Sequence, residues 1–562
     1  MKTLHAASTL GPVADHDESN RPRVLILRSC RAAQFADAVR FARGRHPKAE
    51  IVALSHRGHR DSLIAAGVDR VIEIPGRRFG LLRIGPWTLR RLRSEAFDHV
   101  VIPQMTAFPE VHVNLYWLAV ALRPQRVTVL PGEQALWDFD RRTFLPFVRR
   151  ETIGALSVFL DTPLFLAFLF ASCFARRQRR LAAADGRRRV LHIISSLGVG
   201  GAQVQLAELI NRTPADRYHV ELLVLGGDGE FSRQWLKRDD VEVTFVHHWP
   251  RMTRSVLEIR DRCREGHYDL VHTWLFMANI VGVAGARLAG VPSVISSVRN
   301  LSLWKRQWYR KWWFRIADTL ASYASDVVTV NARALVRDHA QWACMPESRI
   351  EVVHNGLDPS RLLADRRDSR RRVLELTGAP DNAIIIGTVG RLAHEKDHVT
   401  FLRLLAKVRK NGRNVHGLVI GDGELRSHLE AVARNLGLSA QVTFAGERSD
   451  ARKLMAGLDV FVLASRIEGF PNVLLEATFL GVPCVATDVG GNPDVLEFPE
   501  SLFPPGEIWA GAARVLALLD APSEAAERAE RTRQRAITMF TADRTAAAWF
   551  GLYDRCLTEE TV

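Results

Sequence analysis

Cysteine is scarce in this chain. Its 562 residues hold six, Cys30, Cys173, Cys263, Cys344, Cys484 and Cys556, scattered with no C-x-x-C pair and no histidine at metal-ligand spacing. That argues against structural zinc and against a disulfide framework, and it fits a reducing cytosol. A basic stretch followed by an apolar one is also missing at the N-terminus. Residues 1–21 are polar and include Asp15, Asp17 and Glu18, so no cleaved export signal is expected and the segment reads as a disordered tail. There are no short-period repeats, and no triad of metal-ligating side chains stands out, so no metal is expected.

Negative charge is outweighed. Lys and Arg number 77 against 62 Asp and Glu, a formal net charge of +15. Such an excess suits nucleic acid, an anionic membrane or phosphorylated substrates. Arginine pairs at 141–142, 149–150, 176–177 and 179–180 and the triplet 187–189 gather around one apolar run, 153–175. That favours an anionic membrane surface over nucleic acid. The run is long enough to span, since about 20 residues suffice. Asp161 and Pro163 near its middle oppose a span and interrupt a helix, and arginines on both sides give no orientation. A re-entrant or surface-lying helix is the expectation, with a buried core helix as the alternative.

Short β-branched runs alternate with helical stretches from residue 22 onward, which implies parallel sheets covered on both faces. Strands are expected at 23–27, 50–54, 70–74, 98–102 and 126–130 in a first α/β domain, 22–150. The apolar, Arg-flanked segment or linker follows at 151–188. A second block, 189–365, has strands expected at 190–194, 220–225, 241–246, 270–273, 291–296 and 326–330. A third, 366–562, has them at 384–389, 416–420, 442–445, 460–463 and 482–486, then a helical tail.

The motif EGFPNVLLE, 468–476, follows the strand expected at 460–463 through a short loop. Gly469 permits close backbone approach, and Pro471 suits the first turn of a helix over 472–480. The free N–H groups of Asn472, Val473 and Leu474 could then hold a diphosphate. Glu468 would sit ahead of the helix facing a ligand. Glu476, a turn later, could accept from ribose hydroxyls, or both carboxylates could merely offset the helix dipole. Upstream, VGRLAHEKD (389–397) places Arg391 and Lys396 in a loop after a strand, where they could clamp phosphate oxygens or simply be solvated. Glycines Gly198, Gly200 and Gly201 form a strand-to-helix turn that lets backbone amides approach a phosphate or sugar. The spacing is not G-x-G-x-x-G, which disfavours a dinucleotide cofactor.

These pieces, with YDLVHTW (268–274), VVHNGLD (352–358), GDGELR (421–426), VTFAGERSD (442–450) and GVPCVATDVGGNPDVL (481–496), occur in an order that resembles retaining glycosyltransferase family 4, the group 1 glycosyl transferases of the GT-B fold. The resemblance covers about 189–540. It implies two Rossmann-like domains facing a cleft, here preceded by an additional Rossmann-like α/β domain. By the same resemblance Arg391 and Lys396 bind donor phosphates, Glu468 contacts the donor sugar, and Glu476 holds the ribose. Asn472, Val473 and Leu474 form the phosphate-binding helix start, Gly200 and Gly201 lie beside the donor, and His272 sits near the reacting sugar as a catalytic residue.

The expected reaction is therefore transfer of a sugar, with retention, from a UDP- or GDP-sugar co-substrate to a lipid-linked or cell-surface glycan, with no other cofactor. The location expected is cytoplasmic and peripheral, at the inner face of the membrane. A tryptophan block, Trp304, Trp308, Trp312 and Trp313 among Lys305, Arg306, Arg310, Lys311 and Arg315, is a second amphipathic candidate. Three rivals are a sugar-nucleotide epimerase or hydrolase on the same fold, a non-catalytic membrane scaffold, and a nucleic-acid binder. Residues 22–150 carry no phosphate-binding motif and read as an accessory domain for docking or for the acceptor.

Overall fold

A computed structural model of the chain describes residues 21–27, 32–56, 58–74, 84–104, 113–131, 137–177, 186–198, 200–226, 235–246, 251–308, 312–362 and 364–558. All but the last residue of the tail expected at 1–21, together with Arg310 and Lys311, lie outside the described residues. The chain divides into two compact units, 1–161 and 162–562.

The first unit is built on one sheet of six strands. From one edge they run Arg70–Ile74, Glu50–His56, Arg23–Leu27, His99–Gln104, Arg126–Pro131 and Trp137–Asp140. All neighbours are parallel except the last pair. Alternation of side chains along each strand explains why the runs are apolar throughout. Leu25, Leu27, Val52, Leu54, Val100 and Ile102 feed one core; Val24, Ile26, Ile51, Ala53 and Val101 feed the other. Each of the Val, Leu and Ile side chains, when fully buried, contributes roughly 1.5–3 kcal/mol relative to exposure. The antiparallel strand Trp137–Asp140 was not expected; its alternating WDFD pattern is half-exposed and lacks the β-branched run that marks the others.

The division between the units falls within a single helix, Arg141–Ser172. Phe144, Phe147 and Val148 belong to the first unit's core, Phe165 and Leu169 to the second's. It continues through Pro163, whose ring lies on an exposed face, so the expected interruption does not end it. Among the described residues no helix is long and apolar enough to cross a membrane.

The second unit holds two wholly parallel sheets. The first has the order Ile350–Val352, Val327–Val330, Ser293–Val298, Leu270–Trp274, Arg188–Ile194, Tyr218–Val224 and Glu242–Phe245. The second runs Val442–Gly446, Val415–Ile420, Ile384–Val389, Val460–Leu463, Cys484–Thr487 and Leu502–Phe503. In each sheet the order reverses at a central strand, the arrangement that opens a crevice at the strands' carboxyl ends. The polar stretch near 361–372 becomes the helix Arg366–Thr377, capped by Asp365 and tied by Arg370 to Asp459 at 2.7 Å.

One placement differs from the domain boundaries read in the sequence. The last helix, Ala542–Thr558, packs on the first sheet rather than the second. Trp549, Leu552 and Tyr553 share a core with Val190, Ile194 and Trp274. Arg217 meets Asp554 at 2.7 Å, and Ser293 Oγ donates to the Cys556 carbonyl at 2.8 Å. Its apolar face matches an open stripe on the far half, which chain order cannot reveal.

Candidate active site

The loop after Val460–Leu463 carries the acidic motif, and its shape depends on glycines. A Cβ on Gly469 would lie 2.0 Å from the Arg299 carbonyl oxygen, and one on Gly490, at φ +53°, would lie 2.2 Å from the Glu468 carbonyl. The chain passes these points only without a side chain. Gly491 N–H then donates to the Gly469 carbonyl at 2.6 Å. Glu468 is left 7% exposed, its Oε1 accepting from Ser465 Oγ at 2.6 Å and from Lys396 Nζ at 2.7 Å.

The helix begins where the motif places it, at Asn472–Phe479 behind Pro471. Leu475 N–H donates to the Pro471 carbonyl, so the N–H groups of Asn472, Val473 and Leu474 precede that bond. The Leu474 side chain is fully buried, so only its amide is available to a ligand.

Lys396 ends a 3-10 turn, His394–Lys396, and the next residue locks the loop. Asp397, at φ +44°, caps the helix His398–Lys410 by accepting from the Thr400 N–H; it also accepts from Thr400 Oγ1 at 2.8 Å and pairs with Arg466 Nε at 2.7 Å. Arg466 N–H donates to the Glu395 carbonyl at 2.8 Å. The cationic loop and the acidic loop are thus stitched together, which sets the distance between Lys396 and Glu468. Arg391 lies on the same loop but is 68% exposed and pairs with Glu395, away from Glu468.

From the opposite half comes the glycine turn. Gly200 caps the helix Gly201–Arg212, and the Gly201 carbonyl accepts from Asn472 Nδ2 at 3.3 Å. Asn355 Nδ2 donates to Asn472 Oδ1 at 2.8 Å and to the Phe470 carbonyl at 3.2 Å. Asn355 is in turn held by Arg299 Nη1 at 2.9 Å, a buried guanidinium lying 4.3 Å over the Trp274 ring. Arg299 and Asn355, like Ser465, Arg466 and the Arg452 partner of Glu476, were not picked out from sequence. Asn355 lies inside the quoted VVHNGLD motif, the one signal that pointed to it.

His272 is a correction. It is fully buried in the middle of the strand Leu270–Trp274, with Nδ1 2.7 Å from Tyr553 OH and Nε2 2.8 Å from Ser297 Oγ. The Trp274 and Trp549 rings lie tilted against it, with centroids 4.5 and 4.6 Å away, and burial holds its pKa well below the ordinary histidine value. Both ring nitrogens are used and neither faces the cleft, so the side chain is a neutral core residue that fastens the returning C-terminal helix. Its motif placed it at a strand end, but a side chain on an inward position of a doubly covered sheet cannot reach a ligand.

A family model described as Glycosyltransferase Family 4 matches residues 199–361, and one described as Glycosyl transferases group 1 matches 370–538. The chain is 32% identical over 304 residues to the D-inositol 3-phosphate glycosyltransferase of Rhodococcus erythropolis, covering 50% of this chain and 67% of that protein. The chain belongs to the family 4, group 1 glycosyltransferases. It is also 27% identical over 273 residues to the Escherichia coli UDP-Gal:alpha-D-GlcNAc-diphosphoundecaprenol alpha-1,3-galactosyltransferase, covering 45% of this chain and 68% of that one. In fold it resembles Anabaena Alr3699/HepE in complex with UDP-glucose, with a TM-score of 0.57 and 22% identity over 65% of this chain and 99% of that chain. The glycosyltransferase's second unit is therefore a GT-B pair of Rossmann-like halves, and both family models fall within it. The first unit is an extra α/β body that neither model reaches.

Proposed function

We propose that this glycosyltransferase moves a sugar, with retention, from a UDP- or GDP-sugar to a lipid-linked or cell-surface glycan acceptor. The observation that carries the donor site is the Lys396–Glu468 pair at 2.7 Å, set ahead of a helix whose first amides point out of its own hydrogen-bond ladder. In this reading the donor diphosphate rests on the amides of Asn472, Val473 and Leu474, beside Lys396 and with Arg391 at the rim. Gly200 and Gly201 close the far side. As the sugar–phosphate bond lengthens, negative charge grows on the leaving diphosphate and positive charge on the ring. The amides and Lys396 are in place for the first, and the Glu468 carboxylate for the second. Glu476 reads the ribose. The acceptor attacks on the face the diphosphate leaves, and no metal ion is invoked. UDP-glucose in the Anabaena neighbour and the diphosphoundecaprenol acceptor named for the Escherichia coli relative support the donor and acceptor classes.

The test is a panel of UDP- and GDP-sugars offered with undecaprenyl-diphosphate-linked acceptors, with the product's anomeric configuration read by proton coupling. One donor is expected to be consumed only when acceptor is present, giving a glycoside of the donor's own anomeric configuration. Release of free sugar or an epimerised nucleotide sugar at the same rate without acceptor would favour the hydrolase or epimerase reading instead.

A peripheral position on the membrane is supported by the outer face of the helix Arg141–Ser172 and the residues just after it. Pro163, Leu164, Ala167, Phe170, Ala171 and Phe174 are exposed and none is polar, with Leu164 50%, Phe170 58% and Phe174 72% exposed. Exposed Arg176 and Arg177 follow directly. A contiguous apolar stripe ending in arginines suits an anionic lipid surface. The tryptophan block contributes less than its composition suggests. Lys305 is buried against Asp318 at 2.5 Å and Trp313 lies in the core, while Trp312 is 73% exposed. Co-sedimentation is expected with phosphatidylglycerol-containing vesicles and not with pure phosphatidylcholine. The double change Phe170→Ser and Phe174→Ser is expected to weaken binding about a hundredfold or more, since each aromatic side chain removed from lipid forfeits roughly 1.5–3 kcal/mol. Equal sedimentation of the double variant would remove this face from the membrane contact.

A further inference from the structure

The second carboxylate of the acidic motif has a partner of its own. Arg452, on the helix Ala451–Ala456, donates from Nε at 2.9 Å and from Nη2 at 2.8 Å, both to Glu476 Oε1. Among the described residues no donor engages Oε2. Burial raises the Glu476 pKa, and Arg452 is the charge that opposes this. A guanidinium that spends two donors on one carboxylate oxygen leaves the second oxygen to accept from a ligand.

Arg452 is held from the other half of the GT-B pair. Its guanidinium carbon lies 5.7 Å from the centre of the Trp235 ring, within the range of a cation–π contact. The Trp235 carbonyl is pinned by Asn211 Nδ2 at 2.8 Å. The same ring takes Arg361 at 5.1 Å, and Arg361 is anchored on Glu208 at 2.8 Å. A continuous chain, Glu208–Arg361–Trp235–Arg452–Glu476, therefore links the glycine-turn helix of one half to the phosphate-binding helix of the other.

We propose that Arg452 is a positioning residue that fixes the Glu476 carboxylate so that Oε2 accepts from the ribose hydroxyls of the donor nucleotide, and that Trp235, from the opposite half, holds Arg452 in place. This rests on the donor-site reading above. Two independent features converge on it: the one-sided engagement of the carboxylate, and a clasp that spans the cleft. The consequence is that ribose recognition depends on both halves, although the ribose contact itself belongs to one.

The test measures binding of UDP and GDP and of their 2′,3′-dideoxy counterparts to the full chain by calorimetry. The wild type is expected to prefer the ribonucleotide by about tenfold or more, the size of one hydrogen bond to a charged group. Arg452→Met is expected to bind the dideoxynucleotide as the wild type does and to lose most of the preference, Arg452→Lys to regain part of it, and Trp235→Ala to fall between. An unchanged preference in Arg452→Met, with Glu476→Gln abolishing it, overturns the role of Arg452 and leaves the donor site standing. Equal loss of both nucleotides in Arg452→Met together with a lowered melting temperature also overturns it, as a merely structural role. If the wild type binds none of the four, the donor-site reading falls and takes this proposal with it.

Discussion

Lys396→Ala is expected to cut sugar transfer by about two to three orders of magnitude, the cost of removing one preorganised charge-stabilising donor from an active site. The ammonium is placed to work twice. In the proposed donor site it would stand where a departing diphosphate gathers charge, and it holds Glu468 Oε1 at 2.7 Å. Glu468 is 7% exposed, and without the lysine its carboxylate keeps only the Ser465 hydroxyl among the partners described. Because the charge is needed most in the transition state, kcat is expected to fall at least as far as donor affinity. Lys396→Arg keeps the charge in a different shape and is expected to recover only part of the rate. Glu468→Gln retains the Ser465 bond and the volume, so a large fall in kcat with little change in melting temperature would separate its chemistry from its packing. Steady-state kinetics of the three variants decide the matter, and a Lys396→Ala enzyme with wild-type kcat would remove Lys396 from the reaction.

The second large effect is expected from a single methyl group. Gly469→Ala puts a Cβ 2.0 Å from the Arg299 carbonyl oxygen, a backbone atom that cannot rotate away. The loop or the opposing strand end must shift, at a cost of about 3 kcal/mol by analogy with overpacked cores. Glu468 is the adjacent residue and Asn472 lies three positions on, so the displacement falls on the groups that would meet the donor. Misplacement by about 1 Å can cost about 100-fold in rate, and a loss of that order is expected, with a lowered melting temperature. Gly506→Ala is the control. Gly506 also has positive φ, +82°, but a Cβ there meets nothing within 4 Å, so backbone strain is present without the collision. Activity within a few-fold of wild type in Gly506→Ala and a severe loss in Gly469→Ala would assign the effect to the crossing of the two halves. Equal losses in both would assign it to positive φ in general and undo the argument.

Local pattern carried the sheets far. β-Branched runs that are apolar at every position mark strands covered on both faces, and nearly every such run became one. The strands that escaped were Trp137–Asp140, Ile350–Val352 and Leu502–Phe503, each short or at a sheet edge where half the side chains see water. The placement of Glu468, Lys396 and the helix start at Asn472 was legible because it depends on neighbours in the chain: a glycine, a proline, and a strand just before them.

What the sequence by itself determined is thus the class of fold, the family, and the places where loops follow strands and the helix at Asn472 begins. What only the tertiary structure decided is which way those residues turn and what they meet across space. His272 went to the core because its strand position points inward beneath a helix that arrives 281 residues later. Glu476 acquired Arg452, and through it Trp235, from segments 24 residues away and on the other half. Periodicity encodes burial along one element, but a partner is chosen by how separate elements pack, and no local pattern records that choice.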